Sequence, residues 1–168
     1  METRQNGIAR PISGRAVVAS ALLLGALALF AAAHASAANS AAKVGVAKTA
    51  IGTIIVNGQG RTLYMFAADK HGKSACYGQC AHYWPPLLTS GKPTAGKGAK
   101  ASLLGTTRRK DGKLQVTYNG RPLYRYISDS KVGQTNGQGL NLSGGLWWAI
   151  APNGTLDRKK TTSGGGYG

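Results

Sequence analysis

Two aspartates, Asp69 and Asp129, each lie five residues after a tyrosine, Tyr64 and Tyr124. A pair of carboxylates at matching places in a duplicated chain is what glycosidic hydrolysis requires, one group as acid and the other as base or nucleophile at a set separation. Each Asp also follows an aromatic run and precedes a glycine, Gly72 or Gly133. In that setting an Asp side chain closes a turn by accepting backbone N–H bonds, and this structural role is the expected one.

A second group, His71, Cys76, Cys80 and His82, gathers sulfur and imidazole within twelve residues, a donor set suited to zinc or copper. Its Cys-x-x-x-Cys-x-His spacing matches neither the usual zinc sites nor the Cys-x-x-Cys-His of haem attachment, and it is not the Cys-x-x-Cys of redox catalysts. The competing reading is a Cys76–Cys80 disulfide, worth roughly 2 kcal/mol by loop-closure entropy, with no cofactor. Trp84, Trp147 and Trp148 are candidate ligand contacts, since indole rings stack on sugars and bases. Neighbours on a strand face opposite ways, so one of Trp147 and Trp148 is expected in the core and the other towards solvent or a loop.

The elements that must position these residues read as strands. Gly60-Arg61-Thr62-Leu63-Tyr64-Met65-Phe66 aligns with Gly120-Arg121-Pro122-Leu123-Tyr124-Arg125-Tyr126, and Asp69 with Asp129. The unit is duplicated. Turn-forming pairs Asn57-Gly58, Asp111-Gly112, Asn119-Gly120 and Asn153-Gly154 punctuate short β-branched and aromatic runs. Strands are expected near 44–47, 53–56, 62–67, 104–108, 114–118, 122–127 and 146–150. The expected class is all-β: one small domain of antiparallel hairpins from two tandem repeats, about 44–90 and 104–157, with a short helical or loop segment around the cysteine pair. Tyr64 with Phe66, and Tyr124 with Tyr126, share a face and can supply one common core. Residues 90–101, rich in Gly and Lys, read as a mobile loop, and 161–168 as a disordered tail beyond a domain over 38–160.

The N-terminus has the order of a secretory signal over residues 1–37: Arg4, Arg10 and Arg15, an uncharged apolar run from Ala16 to Ala33, then small residues at Ala33, Ala35 and Ala37. Retention of the run as an anchor is the alternative, since 18 residues just reach spanning length; after cleavage no membrane span is expected. The expected location is secreted or periplasmic. An even cysteine pair in an exported chain favours the disulfide. The whole chain carries 21 Lys plus Arg against 5 Asp plus Glu, and removal of the signal's three arginines and Glu2 leaves 18 against 4. Such a field attracts polyanions and weakens with salt. Export favours anionic cell-envelope polymers over any specific nucleic acid, while a merely solubilising surface is the plainer alternative; the oligomeric state is open.

Tyr64-Met65-Phe66-Ala67-Ala68-Asp69 and Tyr124-Arg125-Tyr126-Ile127-Ser128-Asp129 resemble the Y-x-[FWY]-x-x-D motif of a bacterial family of secreted repeats and predicted lipoproteins. Cys76-Tyr77-Gly78-Gln79-Cys80-Ala81, Trp84-Pro85-Pro86 and Asn136-Gly137-Gln138-Gly139 ahead of Trp147-Trp148 resemble its further segments. Many members carry a lipobox cysteine, which this sequence lacks, so a released product is expected rather than a lipid-anchored one. The resemblance implies a secreted protein and assigns no activity. The leading expectation is therefore an exported, non-catalytic binding module. A metal or redox protein built on the Cys76/Cys80 region and a carboxylate-dependent hydrolase are the alternatives.

Overall fold

The computed structural model describes residues 40–158; the signal segment and the glycine-rich tail lie outside them. The strands are β1 (Lys43–Thr49), β2 (Gly52–Asn57), β3 (Tyr64–Phe66), β4 (Leu88–Thr89), β5 (Thr94–Ala95), β6 (Leu104–Arg108), β7 (Leu114–Tyr118), β8 (Arg121–Pro122), β9 (Asn141–Leu142) and β10 (Gly145–Ala149). One short helix, α1 (Gln79–Tyr83), contains Cys80. The protein is all-β, its sheets antiparallel except where β5 runs parallel to β1.

The turn-forming pairs sit where their chemistry requires. Asn119 and Gly120 both take positive φ, 49° and 72°, and join β7 to β8 as a two-residue hairpin with Tyr118 opposite Arg121. Asn57 Oδ1 accepts from the amides of Gln59 and Arg61, holding the turn that leads into the first aromatic strand. Alternation along β3 sends Tyr64 and Phe66 into one buried cluster and Met65 into another. Ile54 and Ile55 on β2 divide in the same way.

The two repeats are interleaved. β3 of the first repeat pairs with β10 of the second, Tyr64 opposite Ala149 and Phe66 opposite Trp147. Conversely, Tyr124 bridges to Pro86, and the amides of Arg125 and Ile127 donate to the carbonyls of Pro85 and Tyr83 in the first repeat. At the centre the amides of Tyr64 and Tyr124 donate to each other's carbonyls, both at 2.9 Å. Each aromatic segment thus completes itself on the far end of the other copy.

Two expectations need correction. The strand expected over 122–127 is regular only at Arg121–Pro122. Its partner, Trp84-Pro85-Pro86, offers two prolines without N–H, so no continuous ladder can form, whereas the corresponding Trp147-Trp148-Ala149 pairs regularly with β3. The segment 90–101 is also more ordered than its composition predicts. β5 pairs with β1, a 3-10 turn begins at Ala101, and Gly96 donates to the Val44 carbonyl. A side chain at Gly96 would meet the backbone of β1 at 3.3 Å, so the glycines that suggested mobility are what allow close docking.

Candidate functional site

The motif residues meet across the repeat boundary. The Tyr64 hydroxyl donates to Asp129 Oδ2 at 2.6 Å, and the Tyr124 hydroxyl to Asp69 Oδ2 at 2.9 Å. Each carboxylate also closes its own loop: Asp129 Oδ1 accepts from the Asn136 amide at 2.9 Å and Asp69 Oδ1 from the Ala75 amide at 2.7 Å. Both oxygens of both groups are therefore engaged. Burial raises Asp69 above the ordinary carboxylate value, against the lowering effects of the Ala75 amide, the Tyr124 hydroxyl and the Arg109 charge. Burial likewise raises Asp129, opposed by Tyr64, Asn136 and Arg61. Desolvation, then the facing carboxylate, pushes Tyr64 and Tyr124 well above the usual phenol value.

Aromatic rings extend the symmetry. Trp84 and Trp147 stack at 3.8 Å with 1° between their planes. Phe66 stacks on the outer face of Trp147 at 4.1 Å, and Tyr126 on that of Trp84 at 4.2 Å. Tyr64 meets Trp84 edge-on, as Tyr124 meets Trp147. The result is a four-ring column, Phe66–Trp147–Trp84–Tyr126, with two tyrosines against its sides. Offset stacks and edge contacts of this kind add about 0.5–1.5 kcal/mol each beyond burial.

This geometry relocates the expected ligand contacts. Trp84 and Trp147 are fully buried, and Trp148, on the opposite face of β10 from Trp147, is half-buried and packs against the second cluster. Cys76 and Cys80 form a disulfide with their Cα atoms 5.3 Å apart. The metal set His71, Cys76, Cys80 and His82 is not assembled: the sulfurs bond each other, and no group of three or more His, Cys, Asp or Glu side chains converges among the described residues.

The sequence did not point to Arg109. Its place in Arg108-Arg109-Lys110 beside a turn looks solvent-facing, yet it is buried. Nη1 donates to Ser74 Oγ at 2.8 Å and to Gln115 Oε1 at 2.6 Å, and Nη2 to the Cys76 carbonyl at 2.8 Å. Ser74 Oγ in turn lies 2.8 Å from the Tyr124 hydroxyl. A buried guanidinium therefore ties the disulfide loop to the Asp69 pair. At the Asp129 pair the corresponding cation is Arg61, which donates to the Asp129 carbonyl.

A model of secreted repeats of unknown function matches residues 45–88 and again 105–151, together more than half of the chain. The chain belongs to this family of secreted repeats. Both matched copies contain the aromatic strand and end at the segment that crosses to the other copy. Neither a search of curated proteins nor one of solved structures found a match. As a secreted repeat the protein works outside the cytoplasm, where the disulfide is at home. Among the described residues no helix is long and apolar enough to cross a membrane.

Beside the column lies a cleft of about 500 Å³, lined by Gln79, Cys80, Tyr83, Trp84, Tyr126 and the Leu142-Ser143 turn. Of these residues the sequence offers Trp84 as a ligand contact, Tyr126 as a motif aromatic and Cys80 as a disulfide or metal position, and it brings none of them together as a cleft. The exposed Tyr83 and Leu142 would be a signal only to a reader who knew that the two repeats meet there.

Proposed function

We propose that this secreted repeat protein is a non-catalytic module that holds acidic polymers of the cell envelope on its positive surface. The observation that carries the reading is the distribution of charge. Every lysine between residues 40 and 158 is exposed, while of the aspartates Asp129 is buried and Asp69 is half-buried, each bonded to a tyrosine. Of the four carboxylates in this span that would soften the positive field, these two are drawn inward, while Asp111 stays exposed among Arg108, Lys110 and Lys113. Lys110 and the buried Arg109 both lie over the Tyr77 ring, 5.4 and 4.4 Å from its centroid, giving one part of that surface an aromatic base.

The other two readings find less support. A metal or thiol-redox site would need the sulfurs that the disulfide joins. A carboxylate hydrolase would need an acid or base with an oxygen to spare, and both oxygens of Asp69 and Asp129 accept hydrogen bonds. The test is retention of the mature protein on immobilised polyglutamate or a polyol-phosphate polymer at 20 mM salt (~30 Å screening length), with release as salt approaches ~1 M (~3 Å). Passage without retention at low salt overturns the reading.

A further inference from the structure

The two ends of the aromatic column are built alike and finished differently. At the Trp147 end the indole Nε1–H donates to the Leu142 carbonyl at 3.0 Å. The outer ring there, Phe66, is covered: a side chain added at Gly145 would meet it at 3.0 Å, with Ala68 close by. At the Trp84 end the residue five positions earlier is Gln79, and this stretch is wound into α1 instead of running extended as β9 does. No carbonyl is delivered to Trp84. Its Nε1–H is buried and has no partner, and the outer ring, Tyr126, opens into the cleft.

An unpaired buried donor is destabilising, so the arrangement persists against a pull that a bound acceptor would relieve. We propose that the cleft binds an N-acetylated sugar, with Trp84 Nε1–H directed to the acetamido carbonyl and the apolar face of the pyranose lying against Tyr126 and Tyr83. The chemistry of the lining selects this class. Neither lysine nor arginine lines the cleft, so an anionic group would have no counter-charge there. Its walls are aromatic rings, Leu142 and the disulfide, which suit C–H faces and a methyl group. Gln79 and Ser143, both exposed, offer an amide and a hydroxyl to sugar hydroxyls at the rim. The indole N–H is closed to solvent, so the acetamido group enters as rim side chains turn aside. A cleft of about 500 Å³ is within the range of small-ligand sites.

This assignment rests on the polymer-binding reading, supplying a neutral sugar subsite beside the charged surface, and its test separates the two. The mature protein is titrated with the uncharged tetramer of N-acetylglucosamine while the indole N–H resonances are followed by NMR. The Trp84 resonance is expected to shift saturably, with the glucose tetramer, which lacks acetamido groups, at least tenfold weaker. Tyr83→Ala and Gln79→Ala, at exposed positions outside the core, should each weaken binding tenfold or more with the fold unchanged. No shift at millimolar sugar, equal response to the glucose tetramer, or undiminished binding by Tyr83→Ala overturns the assignment. A planar quinone that binds where the sugar does not also overturns it. The neutral tetramer makes no demand on the lysines, so failure here leaves salt-reversible retention on acidic polymers standing.

Discussion

Around Asp129 the chain packs tightly: the carboxylate is only 3% exposed, the Gly137 amide donates to the Tyr64 hydroxyl at 3.2 Å, and Gly137 itself lies flat against Tyr64 and Trp84. Around Asp69 the same tyrosine–carboxylate bond is embedded in a polar relay, Tyr124 to Ser74 to Arg109 to Gln115, and the carboxylate remains partly open to water. One pair is held by close packing and the other by a buried cation. Duplication supplied identical parts, and divergence of the loops after each Asp determined how they are supported.

That contrast is most directly tested by removing each hydroxyl. Tyr64→Phe should cost about 3 kcal/mol, since it strips a buried carboxylate of its side-chain donor, whereas Tyr124→Phe should cost about half as much, because Ser74 and water can still reach Asp69. Urea denaturation of the two variants decides it; equal losses would erase the distinction. Gly137→Ala comes next. Its new Cβ would stand 2.8 Å from Trp84 Cη2 and 2.9 Å from Tyr64 Cζ, an overpacking expected to cost about 1–3 kcal/mol. Gly133→Ala, at a position with open space but φ of 82°, should lose only about 1 kcal/mol, from backbone strain.

Replacing both Cys76 and Cys80 by alanine should remove roughly 2 kcal/mol of loop-closure stabilisation. Because Arg109 still bonds the Cys76 carbonyl and Ser74, the near-ultraviolet circular dichroism of the column should survive, and its collapse would show that the disulfide, not the guanidinium, supports that side.

The smallest effect is in pH. Both carboxyls have raised native values, so the folded protein holds their protons more tightly than the unfolded chain does. Their contribution is fully present below the ordinary value of about 3.9 and declines as pH rises through the native value. Asn does not titrate. The cost of Asp129→Asn, measured by denaturation at pH 3 and pH 7, should therefore be larger at pH 3; a cost that grows towards pH 7 contradicts the desolvation account.

Local chemistry made much of the fold legible. Leu104–Arg108 and Leu114–Tyr118 are the strands that alternation and the Asp111-Gly112 turn predict, and the shared aromatic core follows from the spacing of Tyr64, Phe66, Tyr124 and Tyr126. The alignment of Asp69 with Asp129 suggested facing carboxylates. What it encodes is a crossed wiring, in which each Asp answers the other copy's Tyr, and a pairwise comparison of sequence segments carries no information on which copy a residue will touch. The cleft was hidden for the same reason, since its walls come from α1 of one repeat and the turn before β10 of the other. Arg109 was hidden because burial of a guanidinium depends on its acceptors, and two of its three, Ser74 Oγ and the Cys76 carbonyl, come from a distant segment.

The reciprocal Tyr64–Tyr124 backbone bonds and the Trp84–Trp147 stack lie where a two-fold axis relating the repeats would pass. A lone repeat would own one indole with a bare face, one Tyr without a carboxylate and one strand without a partner. Two such units complete each other by self-complementary contacts, as in a symmetric dimer. The protein is in this sense a homodimer written into a single polypeptide. Residues 40–90 produced alone should be unstructured or assemble in pairs, and a folded monomer in sedimentation would refute that origin. Fusion released the two halves from identity, and one indole could then lose its internal acceptor while its twin kept one.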